Sequence, residues 1–291
     1  MVERTTVMVP GGTLSAFRAT APNPRGLIIA LHGGGHDAHY WHHPAAPDAS
    51  LPILGAALGF DVVILDRAGH GDSIASFPAG LSMAAQVEQI FALADDLGSA
   101  RGLPVFLIGH SLGATLSLIV AADARAHKIQ AVELSGVPVR YHEGQDKQIL
   151  DVLNQLQAAG EDRMPCLDPQ ALRMMFFGAD GTFDPIVLSD DPADHRSVVA
   201  EIVDVIDFPR HVEATARAVR IPVRWCFAAQ EASSRVDDAV LATVGDWTRD
   251  NPDTRIIVQA DCGHNISLHR VGRAYHLAAL AFFEEMRVTR K

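Results

Sequence analysis

One stretch in the middle of this chain, residues 103–126, constrains the fold more strongly than any other. A short apolar run at residues 105–108 is typical of a strand buried on both faces of a parallel sheet. The turn G-H-S-L-G follows at residues 109–113, and residues 114–126 have the small and apolar composition of a buried helix. A strand, a G-x-S-x-G turn and a helix together predict a nucleophile elbow, in which a strained turn projects the hydroxyl of Ser111 outward. The turn pattern is common by itself, so the prediction depends on its flanking strand and helix.

The size and composition of the chain fit one large α/β domain, or one such domain with a modest insertion. Apolar residues make up 48% of the 291 residues, which is ample for a core. A formal net charge of −11 argues against nucleic acid and anionic membrane surfaces as partners, because both are bound through clustered Lys and Arg. We interpret the charge as a source of solubility.

The cysteines and the N-terminus favour a cytoplasmic protein. Cys166, Cys226 and Cys262 are odd in number and show no C-x-x-C spacing, so neither a disulfide framework nor a zinc site is predicted. The first residues include charges and no apolar stretch of signal-peptide length. No apolar run approaches the length that spans a membrane.

Three motifs make the chain resemble the α/β-hydrolase superfamily, from about Gly26 to the C-terminal helix. They are the elbow at residues 109–113, a D-R-x-G-x-G-x-S pattern at residues 66–73 and a Gly-His pair at residues 263–264. The resemblance implies an α/β fold with a mostly parallel eight-stranded sheet flanked by helices. It implies a triad of serine, acid and histidine in that chain order, and it gives the charges of the second motif a structural role at the sheet edge.

The resemblance assigns the nucleophile to Ser111 and the general base to His264. For the acid, Glu231 fits the spacing of the family's G-x-x-D pattern, with Ala228 in place of Gly and Glu in place of Asp. Glutamate is an alternative acid in the family. Three other carboxylates compete for the role, namely Asp237, Asp238 and Glu133.

A glycine-rich loop, H-G-G-G-H at residues 32–36, follows a predicted strand at residues 26–31. Glycines expose backbone N–H groups, which can approach a ligand closely and point at a negative oxygen. Similar H-G-G-G loops contribute half of the oxyanion hole in lipases and esterases. The N–H groups of Gly34 and Leu112 are therefore the predicted oxyanion donors, with a merely flexible turn as the alternative.

The sequence changes character after the predicted strand at residues 130–134, where it becomes acidic and rich in turn signals. Many α/β-hydrolases have a helical cap at this position. The resemblance therefore predicts a cap at residues 137–220 and a core domain made of residues 1–136 and 221–291. An apolar cluster at residues 174–177 either packs against the core or lines an acyl pocket.

Five histidines lie between residues 32 and 43. Neutral imidazoles suit zinc, copper or nickel, but this spacing matches no zinc motif and glycine is poor scaffolding for a rigid cage. We predict no metal and no cofactor, and expect these histidines at the mouth or rim of the pocket. The predicted pocket residues are His32, Gly33, Trp41, His110, Met174 and Phe177.

The candidate triad predicts acyl transfer to water. A serine hydroxyl needs a base near neutral pH, and an imidazole with an unperturbed pKa of about 6.5 can accept and return its proton. Epoxide hydrolases and dehalogenases of this fold have Asp where this chain has Ser111, so the resemblance argues against those reactions.

We therefore expect a serine hydrolase that acts on a small-molecule carboxylic ester, thioester or lactone with a largely apolar acyl group. Alternatives are a thioesterase or lactonase that releases a biosynthetic product and a serine-dependent C–C bond hydrolase. A hydrolase-fold protein that binds a small molecule with little turnover is a fourth reading. No nucleic acid or membrane partner is expected, and the sequence makes no prediction of oligomeric state.

Overall fold

The computed structural model describes residues 1–189, 193 and 196–290. Its strands are β1 (Val2–Val9), β2 (Gly12–Ala19), β3 (Gly26–Leu31), β4 (Phe60–Leu65), β5 (Val105–His110), β6 (Ala131–Ser135), β7 (Val223–Ala228) and β8 (Thr254–Gln259). They form one sheet in the order β1-β2-β4-β3-β5-β6-β7-β8. The β1–β2 and β2–β4 pairs are antiparallel and the other pairs are parallel. The predicted fold class, with its mostly parallel eight-stranded sheet, is confirmed.

The central strands are buried on both faces, which explains their largely apolar sequences. Every residue of β3, β4, β5 and β6 is buried. Parallel strands that are covered by helices on both faces need apolar side chains on both sides. The edge strand β8 is mostly half-buried, and polar residues stand at both of its ends.

Helices cover both faces of the sheet. They are α1 (Leu51–Ala57), α2 (Met83–Leu93), α3 (Leu112–Ala122), α4 (Gln145–Ala159), α5 (Pro169–Phe176), α6 (Ile186–Ser189), α7 (Val199–Ile206), α8 (Val212–Ala218), α9 (Asp238–Thr248) and α10 (Gly272–Thr289). Buried residues of α2, α3, α8 and α9 belong to the apolar cluster on one face, and those of α1 and α10 to the cluster on the other. Ser82 caps α2, since its Oγ accepts from the N–H of Ala85 at 3.3 Å.

Residues 137–220, which we call the cap segment, lie between β6 and β7. Its helix α4 buries only Leu153 and α5 buries no residue, whereas α3 in the core is almost entirely buried. The helix α8 packs against α3 and α9, and α7 also contacts α3, so part of the range predicted as the cap packs on the core. Residues 190–192, 194 and 195 of this range lie outside the described residues.

Four parallel strands end at the same edge of the sheet, and each is followed by a candidate functional loop. The glycine loop at residues 32–36 follows β3, and Ser111 follows β5. The loop with Glu231 follows β7, and the loop with His264 follows β8. Open α/β sheets bind ligands outside the carboxyl ends of their strands. The topology therefore brings these four segments together.

Candidate active site

Ser111 occupies a strained turn between β5 and α3. Its φ of 52° and ψ of −117° lie in a region that residues with a side chain rarely adopt. The N–H of Ser111 donates to the carbonyl oxygen of Ser135 at 2.7 Å, which anchors the turn to β6. A Cβ on Gly113 would collide with the backbone of Leu31, and one on Gly109 with the backbone of Gly113. The turn therefore has the geometry of a nucleophile elbow.

Glu231 and His264 form a buried, hydrogen-bonded pair. His264 Nδ1 lies 2.8 Å from Glu231 Oε2, and the two side chains are 4% and 2% exposed. Because a carboxylate can only accept, the ring proton is on Nδ1 and Nε2 keeps a lone pair for proton transfer. Burial opposes ionisation of Glu231, but attraction to His264 and hydrogen bonds from His264 and Ser233 hold its pKa below the usual value.

Ser233 is a polar neighbour of this pair that the sequence reasoning did not identify. Its N–H and its Oγ–H donate to Glu231 Oε1, each at 2.8 Å. Its Oγ also lies 2.9 Å from His264 Nδ1. Ser233 therefore fixes both the second carboxylate oxygen and the ring. The sequence indicates this contact only by the position of Ser233, two residues after Glu231, from which a serine hydroxyl can form a local hydrogen bond.

The structure separates Glu231 from the other carboxylates considered for the acid. Asp237 is the N-cap of α9 and Asp238 begins that helix. Glu133 is fully buried within β6, inside the sheet. Of these four described carboxylates, Glu231 is the one in contact with His264. Its role as the catalytic acid is a proposal to which this geometry lends support.

A cavity of about 220 Å³ lies at the carboxyl edge of the sheet. Ser111 and His264 both line it, together with Gly34 and Leu112. Much of its wall comes from apolar side chains of the cap segment, among them Ile149, Met164, Leu172, Met175, Phe176 and Val205. The candidate nucleophile and base therefore face the same, largely apolar cavity.

The glycine loop passes close to Ser111. A Cβ on Gly33 would lie 3.0 Å from the Cβ of Ser111, and a Cβ on Gly34 would lie 2.7 Å from Cδ1 of Leu112. Leu112 is the first residue of α3, so its N–H has no acceptor within the helix. Gly34 and Leu112 thus lie beside Ser111, the candidate nucleophile, where the predicted oxyanion donors would be needed.

His32 lies behind the glycine loop and orients it. The N–H of Arg67 donates to His32 Nε2 at 3.0 Å, so the ring proton is on Nδ1, which donates to the carbonyl oxygen of Gly33 at 2.7 Å. Burial and the charge of Arg67 hold the pKa of His32 well below its usual value, which keeps the ring neutral. The prediction that His32 lines the pocket is wrong, because its ring is fully buried against the loop backbone.

Of the other core residues predicted to line the pocket, two do so and one does not. Gly33 and His110 line the cavity. The His110 ring stacks on Tyr40 with centroids 4.3 Å apart, and its Nε2 lies 3.1 Å from Asn265 Oδ1. The prediction for Trp41 is wrong, since its large apolar ring is 1% exposed and packs into the apolar cluster that includes α10.

The predictions for Met174 and Phe177 are also wrong, each by one residue. Met174 is 62% exposed and Phe177 is buried in the core, whereas Met175 and Phe176 line the cavity. Successive helix residues point about 100° apart, so a shift of one position changes the face. The spacing of Leu172, Met175 and Phe176 at i, i+3 and i+4 is the signal that could have identified the correct face.

Several of the clustered histidines contact neighbouring polar side chains. His39 Nδ1 lies 2.9 Å from Asp37 Oδ1, and His42 Nδ1 lies 2.8 Å from Ser50 Oγ. Among the described residues, no group of three or more His, Cys, Asp or Glu side chains is placed to hold a metal ion. Of the helices that the structure describes, from residue 1 to residue 290, none is long and apolar enough to cross a membrane.

A family model described as the alpha/beta hydrolase family matches residues 28–275 of the chain. This match spans well over half of the sequence, and the fold and the elbow geometry agree with it. The protein therefore belongs to the alpha/beta hydrolase family.

Individual curated proteins match this chain over shorter segments and at low identity. The chain is 29% identical to human monoglyceride lipase over 105 residues, which are 36% of this chain and 32% of that protein. It is 25% identical to Lipase LipV of Mycobacterium tuberculosis over 174 residues, 60% of this chain and 59% of that protein. The matched segments span between 24% and 59% of the curated relatives' lengths.

Solved structures resemble this chain over nearly its full length. A thermostable carboxyl esterase from Bacillus coagulans has a TM-score of 0.74 at 18% identity, with 98% of this chain and 99% of the esterase covered. A monoacylglycerol lipase from Paleococcus ferrophilus has a TM-score of 0.72 at 19% identity, with 94% and 99% covered. At this level of identity, these similarities show the shared fold.

Proposed function

We propose that this protein is a serine hydrolase that cleaves a carboxylic ester through an acyl-enzyme on Ser111. The main support is the shared cavity, which is lined by Ser111 on its strained turn and by His264, the hydrogen-bond partner of Glu231. The names of its relatives, a monoglyceride lipase and a carboxyl esterase, agree with an ester as substrate.

In the proposed acylation step, Ser111 Oγ attacks the ester carbonyl carbon and its proton passes to His264 Nε2. Glu231, whose pKa is lowered, accepts from Nδ1 and stabilises the imidazolium. The carbonyl oxygen becomes an oxyanion that the N–H groups of Gly34 and Leu112 stabilise, by about 3–4 kcal/mol for each donor. His264 then gives its proton to the leaving oxygen, and the alcohol departs.

Deacylation repeats these steps with water as the nucleophile. His264 removes a proton from the water as its oxygen attacks the acyl carbon, and then returns the proton to Ser111 Oγ as the acid is released. The same two N–H groups stabilise the second oxyanion. One set of residues therefore serves both halves of the reaction.

We infer from the lining that the acyl group is of medium length and largely apolar. The cavity of about 220 Å³ is lined mostly by aliphatic, methionine and aromatic side chains. Residues 137–220 supply many of them, which supports a reading of this segment as a cap over the core formed by residues 1–136 and 221–291.

The proposal is tested by pre-steady-state kinetics on p-nitrophenyl esters of increasing acyl length, with a thioester and a lactone as comparison substrates. We expect a burst of about one p-nitrophenol per protein, and a loss of about 10⁵- to 10⁶-fold in kcat for Ser111→Ala. Ser117→Ala is the matched control, since this buried serine of α3 donates to the carbonyl oxygen of Gly113. Turnover that survives in Ser111→Ala contradicts the proposal, and stoichiometric capture without turnover favours a binding protein.

A further inference from the structure

One buried ion pair links the cap segment to the core behind the glycine loop. Glu201 on α7 is fully buried, and its Oε1 accepts from Arg67 and, at 2.8 Å, from Gln86 Nε2. Its Oε2 accepts from Arg67 Nη2 at 3.2 Å and lies 3.1 Å from His70 Nε2. Both carboxylate oxygens are therefore held by residues of the core, and none of these residues belongs to the candidate triad.

The other edge of the Arg67 guanidinium holds the backbone of the glycine loop. Its Nε donates to the carbonyl oxygen of His32 at 2.9 Å, and its Nη2 donates to that of Gly33 at 3.3 Å. The Arg67 side chain is 1% exposed. Because the guanidinium is a rigid planar fork, Glu201 on one edge fixes the donors on the other edge.

The peptide between Gly33 and Gly34 connects this contact to the proposed oxyanion hole. A trans peptide is planar, and its C=O and N–H point in opposite directions. The described residues contain no cis peptide bond. The direction in which Gly33 presents its carbonyl therefore sets the direction of the Gly34 N–H.

We propose that Glu201 is a positioning residue for the oxyanion hole, which acts from the cap segment through Arg67 on the peptide between Gly33 and Gly34. This inference rests on the proposed function, because it requires an oxyanion at the Gly34 N–H. It gives a residue of the cap segment a role in the rate of the reaction, in addition to the apolar wall that this segment contributes.

The charges around Glu201 keep this link intact at neutral pH. Burial opposes ionisation of the carboxyl group, but Arg67 and His70 lower its pKa to about 2. Hydrogen bonds to an ionised group are about twice as strong as neutral ones. Glu201→Gln keeps the size of the side chain and removes its charge, so it weakens the hold on Arg67. The Gly33 carbonyl then depends on one of its two hydrogen bonds, the one from His32 Nδ1 at 2.7 Å, and its direction is less tightly fixed.

The test uses the full chain and two matched ketones, a trifluoromethyl ketone and the methyl ketone with the same acyl chain. Ser111 Oγ adds to the trifluoromethyl ketone, its proton passes to His264, and the carbonyl electron pair becomes an oxyanion in the hole. The methyl ketone occupies the cavity without this addition. The ratio of the two inhibition constants therefore reports the oxyanion hole separately from the cavity.

For Glu201→Gln we expect kcat to fall about 10- to 100-fold and the inhibition constant of the trifluoromethyl ketone to rise by a similar factor. KM and the methyl ketone constant should change less than about threefold, since ground-state binding is retained. Asp204→Asn is the matched control, because Asp204 lies on the same helix and accepts from the N–H of Met83 at 2.7 Å. This control should keep the wild-type ratio.

An unchanged ratio in Glu201→Gln overturns the inference, even if the thermal stability of the variant falls. If this variant does not fold, the double variant Arg67→Met/Glu201→Met removes both charges, a replacement that buried ion pairs often tolerate. A folded double variant with a wild-type ratio also overturns the inference, and one with selectively weaker trifluoromethyl ketone binding supports it. A wild-type protein that neither turns over esters nor binds the trifluoromethyl ketone more tightly refutes the proposed function instead.

Discussion

The sheet core and the cap segment contribute different kinds of groups to the same cavity. The core supplies Ser111, Glu231 and His264 from loops that follow β5, β7 and β8, and every residue of β5 and β7 is buried. The cap segment supplies apolar side chains from helices that bury little of their own surface. The comparison teaches that the sheet core positions the candidate catalytic residues, and that the cap segment shapes the cavity beside them.

The two regions meet at a few close contacts near the glycine loop. Ser197 Oγ would lie 2.6 Å from a Cβ on Gly34, and Val198 packs against Gly69 and Gly80 so closely that neither glycine has room for a side chain. The buried pair of Glu201 with the core lies on the same stretch of the cap segment. Changes to the core should therefore reduce kcat, and changes to the cap wall should reduce selectivity.

The largest effect is expected for Glu231, the candidate acid of the core. Glu231→Gln should lower kcat about 10⁴-fold, because the amide can no longer stabilise the imidazolium and can hold the wrong tautomer. The measurement is steady-state kinetics on a p-nitrophenyl ester, normalised to folded protein. Glu133→Gln is the control, because Glu133 is a buried glutamate inside the sheet, and this variant should keep kcat close to the wild-type value. Nearly full activity in Glu231→Gln would place the acid elsewhere.

The next effect concerns stability, and it contrasts the buried glutamates of the two regions. Burial raises the pKa of Glu133 to about 7 despite the nearby Arg224, whereas the pKa of Glu201 is lowered to about 2. Between pH 4.5 and 7, Glu133 is protonated in the folded protein but ionised in the unfolded chain. The stability that this group contributes is therefore present below pH 4.5 and is lost as the pH rises to about 7.

Urea unfolding at several pH values measures this contribution. Between pH 4.5 and 7, the free energy of unfolding of the wild type should fall by on the order of 2–3 kcal/mol more than that of Glu133→Gln. Above pH 4.5, the free energy of unfolding of Glu201→Gln should decrease with pH as it does in the wild type. Below pH 4.5 the two should differ, because there only the wild type loses the stability that the ionised Glu201 contributes. Identical pH slopes for the wild type and Glu133→Gln would show that Glu133 is ionised throughout.

The smallest effect is expected in the wall of the cap segment. Phe176 lines the cavity with its ring centroid 5.4 Å from that of His264, so Phe176→Ala should lower kcat/KM for medium-length acyl esters about 10-fold, mainly through KM. Met174→Ala is the matched control on the same helix, and because Met174 is largely exposed it should change kcat/KM less than about twofold. A larger effect for Met174→Ala would reverse the assignment of the two helix faces.

Most of the core was predictable because its determinants are local. The unbroken apolar run of β5 and the glycines around Ser111 are short-range signals, since only glycine fits where the elbow backbone approaches its neighbours. The resemblance to a known family indicates the loops with Glu231 and His264, the first through the spacing of a G-x-x-D-like pattern and the second through a Gly-His pair. The structure places both residues together, although the role of Glu231 remains a prediction.

The cap segment was less predictable because its contacts are made over long sequence distances. Arg67 and Glu201 are 134 positions apart, and neither residue alone indicates the other. Ser233 belongs to the core, but it was missed for the same reason, since it contacts His264 only because two loops converge at the sheet edge. In α5 the wrong face was chosen for Met174, although the i, i+3, i+4 pattern of that helix was present in the sequence.

The central claim is that Ser111 is a nucleophile activated by His264. Labelling with a fluorophosphonate, followed by digestion and mass spectrometry, tests it most directly. We expect one label per protein, on the peptide that contains Ser111, and labelling that is abolished in Ser111→Ala and strongly slowed in His264→Ala. A label on any other residue, or an active protein that takes no label, would contradict the claim.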